Sequence, residues 1–185
     1  MRLRALVLPV LLSLFASGLA AAAPGGRLYS QGPVPKWVDE QAVSLDVAVP
    51  EASVRGGSCW LLTDDQLNGG RPAQTYRHRV LKLFSSVAVQ ESSRLSFEVD
   101  PVYEKLLVHH VTIRRDGRTI DALRTAETRI VQSEEELDDD LLNGRQTVLF
   151  LLRDVRAGDV LDWSYTVTGK NPVLGDRFAD SFLLA

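Results

Sequence analysis

Apolar and polar residues alternate with a period near two along most of this chain, the spacing of half-buried strands rather than helices. Val43-Leu45-Val47-Val49 and Leu81-Leu83 carry the pattern most plainly. Cys59 to Leu67 forms a short apolar run closed by Asn68-Gly69-Gly70, and Gln74 to Phe84 reads as its return strand, with Val87 to Val99 as the next. Leu106 to Arg115 and Thr119 to Leu123 flank Asp116-Gly117. An Asp-Gly pair between β-branched residues favours a two-residue turn with positive φ at both positions, so a hairpin is expected there. Thr147 to Val155 and Val160 to Thr168 flank Arg156-Ala157-Gly158-Asp159 and predict another hairpin. Only Ser133 to Asn143 suggests a helix, with Ser133 as cap and Glu134, Glu135 and Glu136 in the first turn, where the helix dipole favours acids. The expected fold is mainly β: an antiparallel, sandwich-like module with at most one short helix.

The first residues follow a different pattern. Arg2 and Arg4 precede an apolar stretch from Ala5 to Ala20, and Ala20 to Ala23 offer small-residue cleavage sites, so residues 1–22 read as a signal peptide. Residues 23–41 are a Gly/Pro-rich lead-in that Trp37 is expected to dock, and residues 42–185 form the β domain. Its end, Ser181-Phe182-Leu183-Leu184-Ala185, reads as cut in mid-strand, which predicts a module truncated at its C-terminus. Export to the periplasm, or secretion, follows from the leader, and membrane contact is expected only through that segment before cleavage.

At 185 residues, with 45% hydrophobic and 24% charged side chains, the chain has material for one packed domain. The formal charge of -3 becomes -5 without residues 1–22, which contain two arginines and no acid. Nucleic-acid binding therefore lacks its usual electrostatic driving force. Cys59 is the single cysteine, so no internal disulfide can form.

Few residues suggest chemistry. Gly57-Ser58-Cys59-Trp60 resembles the G-x-C-W setting of the nucleophile in papain-like proteases and transglutaminases. Those enzymes need a histidine to ionise the thiol. His78, His109 and His110 all follow within 51 residues, whereas the papain pattern places its histidine about 130 residues on. Ser53 stands where that pattern needs a glutamine, so Cys59 reads as a packed strand residue. Asp138 to Gly144 fails as an EF-hand, since Leu141 and Phe150 fall where oxygen ligands belong. On a regular strand the adjacent His109 and His110 point to opposite faces and do not share a metal. Trp60, Tyr76, Tyr103 and Trp163 offer stacking surfaces for carbohydrate, weighed against plain packing. The expectation is no catalytic, cofactor-binding or metal-ligating residue, and no cofactor.

The order of segments adds to this. Gly57 to Gln66 (GSCWLLTDDQ), Tyr76 to Leu81 (YRHRVL), Phe97 to Leu106 (FEVDPVYEKL), His109 to Leu123 (HHVTIRRDGRTIDAL), Asp154 to Leu161 (DVRAGDVL) and Tyr165 to Val173 (YTVTGKNPV) together resemble the domain of unknown function DUF3857, over about residues 40 to 185. The resemblance implies an exported bacterial protein in which a non-catalytic β module precedes a transglutaminase-like domain that holds the Cys-His-Asp chemistry. The implied partner is that downstream domain or a protein of the cell envelope. The implied role is binding or scaffolding; the alternatives are a cysteine hydrolase or transglutaminase using Cys59, and an envelope carbohydrate-binding sandwich.

Overall fold

A computed structural model describes residues 28–45, 48–132 and 144–169. The leader reading, the helix expected over Ser133 to Asn143 and the end of the chain lie outside the described residues. Among the described residues, nine strands and one short α-helix, with a 3-10 turn at Glu51–Ser53 before β2, follow in order: β1 Tyr29–Gln31, β2 Ser58–Asn68, β3 Gln74–Leu83, α1 Ser86–Ser92, β4 Arg94–Val99, β5 Glu104–Arg115, β6 Arg118–Asp121, β7 Glu127–Gln132, β8 Gln146–Leu151 and β9 Val160–Gly169. The larger sheet runs β1-β5-β9-β3-β2, with β6 also paired to β5; the smaller runs β4-β8-β7. Every pairing is antiparallel except β1 with β5. The mainly β, sandwich-like class expected from periodicity is what forms.

The core shows why the alternation matters. On β9 the odd residues Leu161, Trp163, Tyr165 and Val167 join the apolar cluster, meeting Leu81 and Leu83 of β3 and Leu106, Val108, Val111 and Ile113 of β5. The smaller sheet answers with Leu95, Phe97, Val99, Val148 and Phe150. Phe97 packs edge-on against Tyr165 across the two sheets, ring centroids 4.7 Å apart, and against Phe150 within its own sheet at 5.5 Å. Burial of such rings removes on the order of 150 to 250 Å² each from water and dominates the stability.

The Asp116-Gly117 hairpin is present as expected: Arg115 faces Arg118, and both turn residues have positive φ, 50° and 71°. The β2–β3 hairpin after Asn68 also forms, with Asn68 opposite Gln74.

Three expectations are corrected. Val87 to Val99 is not one strand: the Ser85 hydroxyl accepts the Ala88 N–H at 3.2 Å and caps α1, which buries Ala88, and extended backbone begins only at Arg94. A local cap and helix-forming residues outweigh two alternating valines. Val43 to Val49 does not form a strand where it is described, over residues 43–45 and 48–49. Residues 147–155 and 160–168 do not make a hairpin: β8 pairs with β4 and β7 while β9 pairs with β3 and β5. Val148 and Phe150 enter the core from one side and Leu161 and Trp163 from the other, so the connection crosses between sheets.

The motif segments hold these crossings. Asp100 Oδ1 accepts the Val102 N–H at 2.9 Å, and Glu104 Oε2 accepts the Asp100 N–H at 2.8 Å, which turns the chain from β4 into β5. At the second crossing the Arg115 guanidinium clasps Asp159 with two bonds of 2.7 Å and reaches Asp154 at 3.0 Å. Asp159 Oδ2 also accepts the Arg156 N–H at 2.7 Å. Gly169 ends β9 at φ 125°, where a Cβ would lie 1.9 Å from the Tyr103 carbonyl oxygen, so no side chain fits.

Candidate functional site

The second face of the larger sheet is buried yet polar. Its central strand β9 presents Asp162, Ser164 and Thr166, all at most 7% exposed. Register sets its neighbours: Ser164 stands between His78 of β3 and His110 of β5, and Thr166 between Tyr76 and Leu107. Asp64 and Gln66 of β2 extend these two rows. Residues 32–45 cover this face. The His109 imidazole donates from Nδ1 to the Gly32 carbonyl at 3.0 Å, Trp37 Nε1 donates to Gln74 at 2.6 Å, and Gln66 exchanges bonds of 2.7 and 2.9 Å with the Asp39 backbone. Trp37 thus docks the segment, as expected. The strap's bonds thus fall on half-buried side chains at the margin of this face.

A β-bulge shapes the centre. Between Val108 and His110 the β5–β9 register shifts, so that His109 and His110 together oppose Ser164. The extra residue turns both imidazoles to the same face, which corrects the expectation of opposite faces drawn from a regular strand. His109 accepts from the Thr166 hydroxyl at 2.8 Å and stacks near Tyr76, centroids 5.8 Å apart. Burial holds its pKa below the ordinary histidine value, against the opposing bond to the Gly32 carbonyl.

His78, His110 and Asp162 converge beside it. Both Nε2 atoms lie on one carboxylate oxygen, Asp162 Oδ1, at 2.8 and 2.7 Å. Arg114 approaches Oδ2 at 3.3 to 3.4 Å. Burial alone would raise the Asp162 pKa, but the bonds from His110 and His78 prevail and hold it well below the usual carboxylate range. An ionised carboxylate only accepts, so both imidazoles donate to it. His110 then accepts from the Ser164 hydroxyl at Nδ1, 3.0 Å away, while His78 Nδ1 is buried with no hydrogen-bond partner among the described residues. The Tyr76 phenol is wholly buried, and desolvation raises its pKa against the effect of Ser164.

Ser164, His110 and Asp162 form a hydrogen-bonded relay of the kind that activates a nucleophile, but Ser164 has no exposed surface. Cys59 stands apart from all three histidines. It pairs with Lys82 and is buried, its thiol 3.6 Å from the Trp60 carbonyl. Lys82 lies four residues along β3 from His78, about 13 Å at the rise of an extended strand. The aromatic candidates do not share an exposed face either. Trp60 and Trp163 sit 5.8 Å apart toward the core side, Tyr76 is sealed on the polar side, and of the two tryptophans only Trp60 is substantially exposed.

The His78–His110–Asp162 grouping escaped the sequence reading because His78 and Asp162 are 84 residues apart, on strands that meet only through sheet order. One signal was available: Asp162, Ser164, Thr166 and Thr168 place a polar residue at every second position of a strand whose other face is strongly apolar.

Two sheets, antiparallel but for β1 with β5, with one short helix and a polar face strapped by the preceding segment, define a β-rich module. The chain matches DUF3857, a domain of unknown function with solved structure, over residues 72–184. It therefore belongs to that family; Gly57 to Gln66 precedes the matched range. Among solved structures it is similar to a "putative protease" from Parabacteroides distasonis ATCC 8503, with a TM-score of 0.55 at 15% identity over 63% of this chain. That similarity is one of fold. The chain spans 24% of the length of that protein. No curated protein matches it.

Proposed function

We propose that this chain is a non-catalytic binding or scaffold module of an exported bacterial protein, and that it supports a transglutaminase-like domain. The carrying observation is where its motif residues go. Arg115 and Asp159 tie one crossing between the sheets, and Asp100 and Glu104 shape the other. Cys59 and Ser164, the residues with nucleophilic character, are buried away from solvent. A cysteine hydrolase needs thiol and imidazole within hydrogen-bond reach, whereas Cys59 pairs with Lys82, about 13 Å along β3 from His78.

The test is to measure amide transfer and thermal midpoint of a transglutaminase-like domain from the same genome, with and without this chain, joined or mixed. The proposal expects that domain to gain stability or turnover. A domain that is equally stable and active alone, under both arrangements, would refute the supporting role.

A further inference from the structure

We propose that His78, His110 and Asp162 form a binding site for one divalent transition-metal ion, for which Zn²⁺ is the representative. Their three donor atoms lie within 4.8 Å of one another. Two imidazole nitrogens and one carboxylate oxygen make a set suited to borderline metals of the first row rather than to calcium or magnesium, which take oxygen ligands.

The fold brings the donors together without help from a flexible loop. The two histidines flank Ser164 across three adjacent strands, and Asp162 lies two residues along the middle strand on the same face. The ring centroids, 5.5 Å apart, show both imidazoles leaning inward over β9. Metal bonds of about 2.0 to 2.1 Å in tetrahedral geometry separate ligand atoms by about 3.3 Å. The present separations of 2.7 and 2.8 Å from Asp162 Oδ1 to the two Nε2 atoms must open by roughly 0.5 Å. His110 has room to move, its side chain being 32% exposed, against 11% for His78 and 10% for Asp162.

The protons balance. In the neutral form of each imidazole, the proton now placed at Nε2 moves to Nδ1 on ligation, and none is lost from the ring. At His110 the new Nδ1–H donates to the Ser164 oxygen that now donates to it, which reverses one hydrogen bond. At His78 Nδ1 is claimed by no other group and is free to carry the proton. Arg114 holds the other oxygen of Asp162, leaving Oδ1 for the ion, as outer partners of ligating carboxylates commonly do. Three protein donors leave one position open on the exposed His110 side.

The test uses the full chain stripped with a chelator and titrated with ZnCl₂ by calorimetry, and with Co²⁺ for its visible absorption. One equivalent of Zn²⁺ is expected, with a Co²⁺ spectrum of low coordination number. His110→Gln, at the more exposed ligand, should weaken binding roughly 100-fold or more while leaving the circular dichroism unchanged, and His109→Gln should bind as the wild type. Should His110→Gln fail to fold, nitrogen NMR of the wild type decides: Nε2 of His78 and His110 must shift on adding Zn²⁺. No saturable binding to the folded wild type, unchanged affinity in a folded His110→Gln, or imidazole resonances that ignore the metal would each overturn the site.

Discussion

Removing the Asp159 carboxylate should destabilise this fold far more than removing the exposed Asp154 beside it. Its side chain is 1% exposed, and it accepts two short bonds from Arg115 and one from the Arg156 N–H. Arg115 is 18% exposed, and its charge is reinforced first by Asp159 and then by Asp154, so the guanidinium stays ionised whatever happens to its partner. Asp159→Ala therefore leaves a largely buried cation facing an empty site. Breaking such a pair from one side costs about 3 to 5 kcal/mol. The lower end applies, about 3 kcal/mol, because Asp154 remains within reach of the guanidinium. For a chain of this size that corresponds to a fall of roughly 6 to 12 °C in the midpoint. Asp154 is a built-in control: it binds the same arginine, but its side chain is 60% exposed, so Asp154→Ala should cost clearly less than Asp159→Ala. Urea titration of wild type, both single variants, Arg115→Met and the Asp159→Ala/Arg115→Met double variant gives the coupling directly, expected at about 2 kcal/mol. If Asp159→Ala loses no more than Asp154→Ala, the clasp does not hold the crossing between the sheets, and the structural assignment of the Asp154 to Leu161 motif fails.

Other consequences are simpler to check. Gly117→Val should destabilise by about 1 to 3 kcal/mol in thermal melts through backbone strain alone, since a Cβ there meets nothing within 4 Å. Gly169→Ala should cost more than Gly117→Ala in the same melts, because its Cβ also collides with the Tyr103 carbonyl. Phe150→Ala, which empties a fully buried site at the centre of the smaller sheet, should cost about 3 to 5 kcal/mol by denaturant titration. The Asp154 carboxylate, held low first by Arg115 and then by Arg156, should titrate below an ordinary aspartate by carbon NMR. Its contribution is present above the unfolded pKa and fades as pH falls through the folded one, and Arg156→Ala should move the titration upward.

The strands were legible where one face meets the core. Leu161-Trp163-Tyr165-Val167 and Leu106-Val108 alternate because burial repeats every second residue, and Asp116-Gly117 announced its turn through the φ values it demands. Val87 to Val99 was misread because a serine cap three residues before Ala88 carries no periodic signature. Sheet membership was illegible for β8 and β9, since two consecutive strands joined by a turn-like sequence look alike whether they pair or cross between layers. The polar cluster was hidden for a related reason. Periodicity says that Asp162 and Ser164 share a face, but not which strands lie beside them, and only sheet order brings His78 and His110 to Asp162. The bulge at His109 removed the remaining clue by breaking the alternation on which the two-face argument rested.

The central claim, that residues with nucleophilic character here serve the fold and not turnover, is tested most directly on the isolated chain. Purified wild type, Cys59→Ser and Ser164→Ala are compared for hydrolysis of a fluorogenic protein substrate and for incorporation of a fluorescent amine into casein, with and without a thiol-blocking reagent. Background rates that are the same for all three proteins are expected. Turnover by the wild type that Cys59→Ser or Ser164→Ala abolishes, in a variant with an unchanged thermal midpoint, would contradict it.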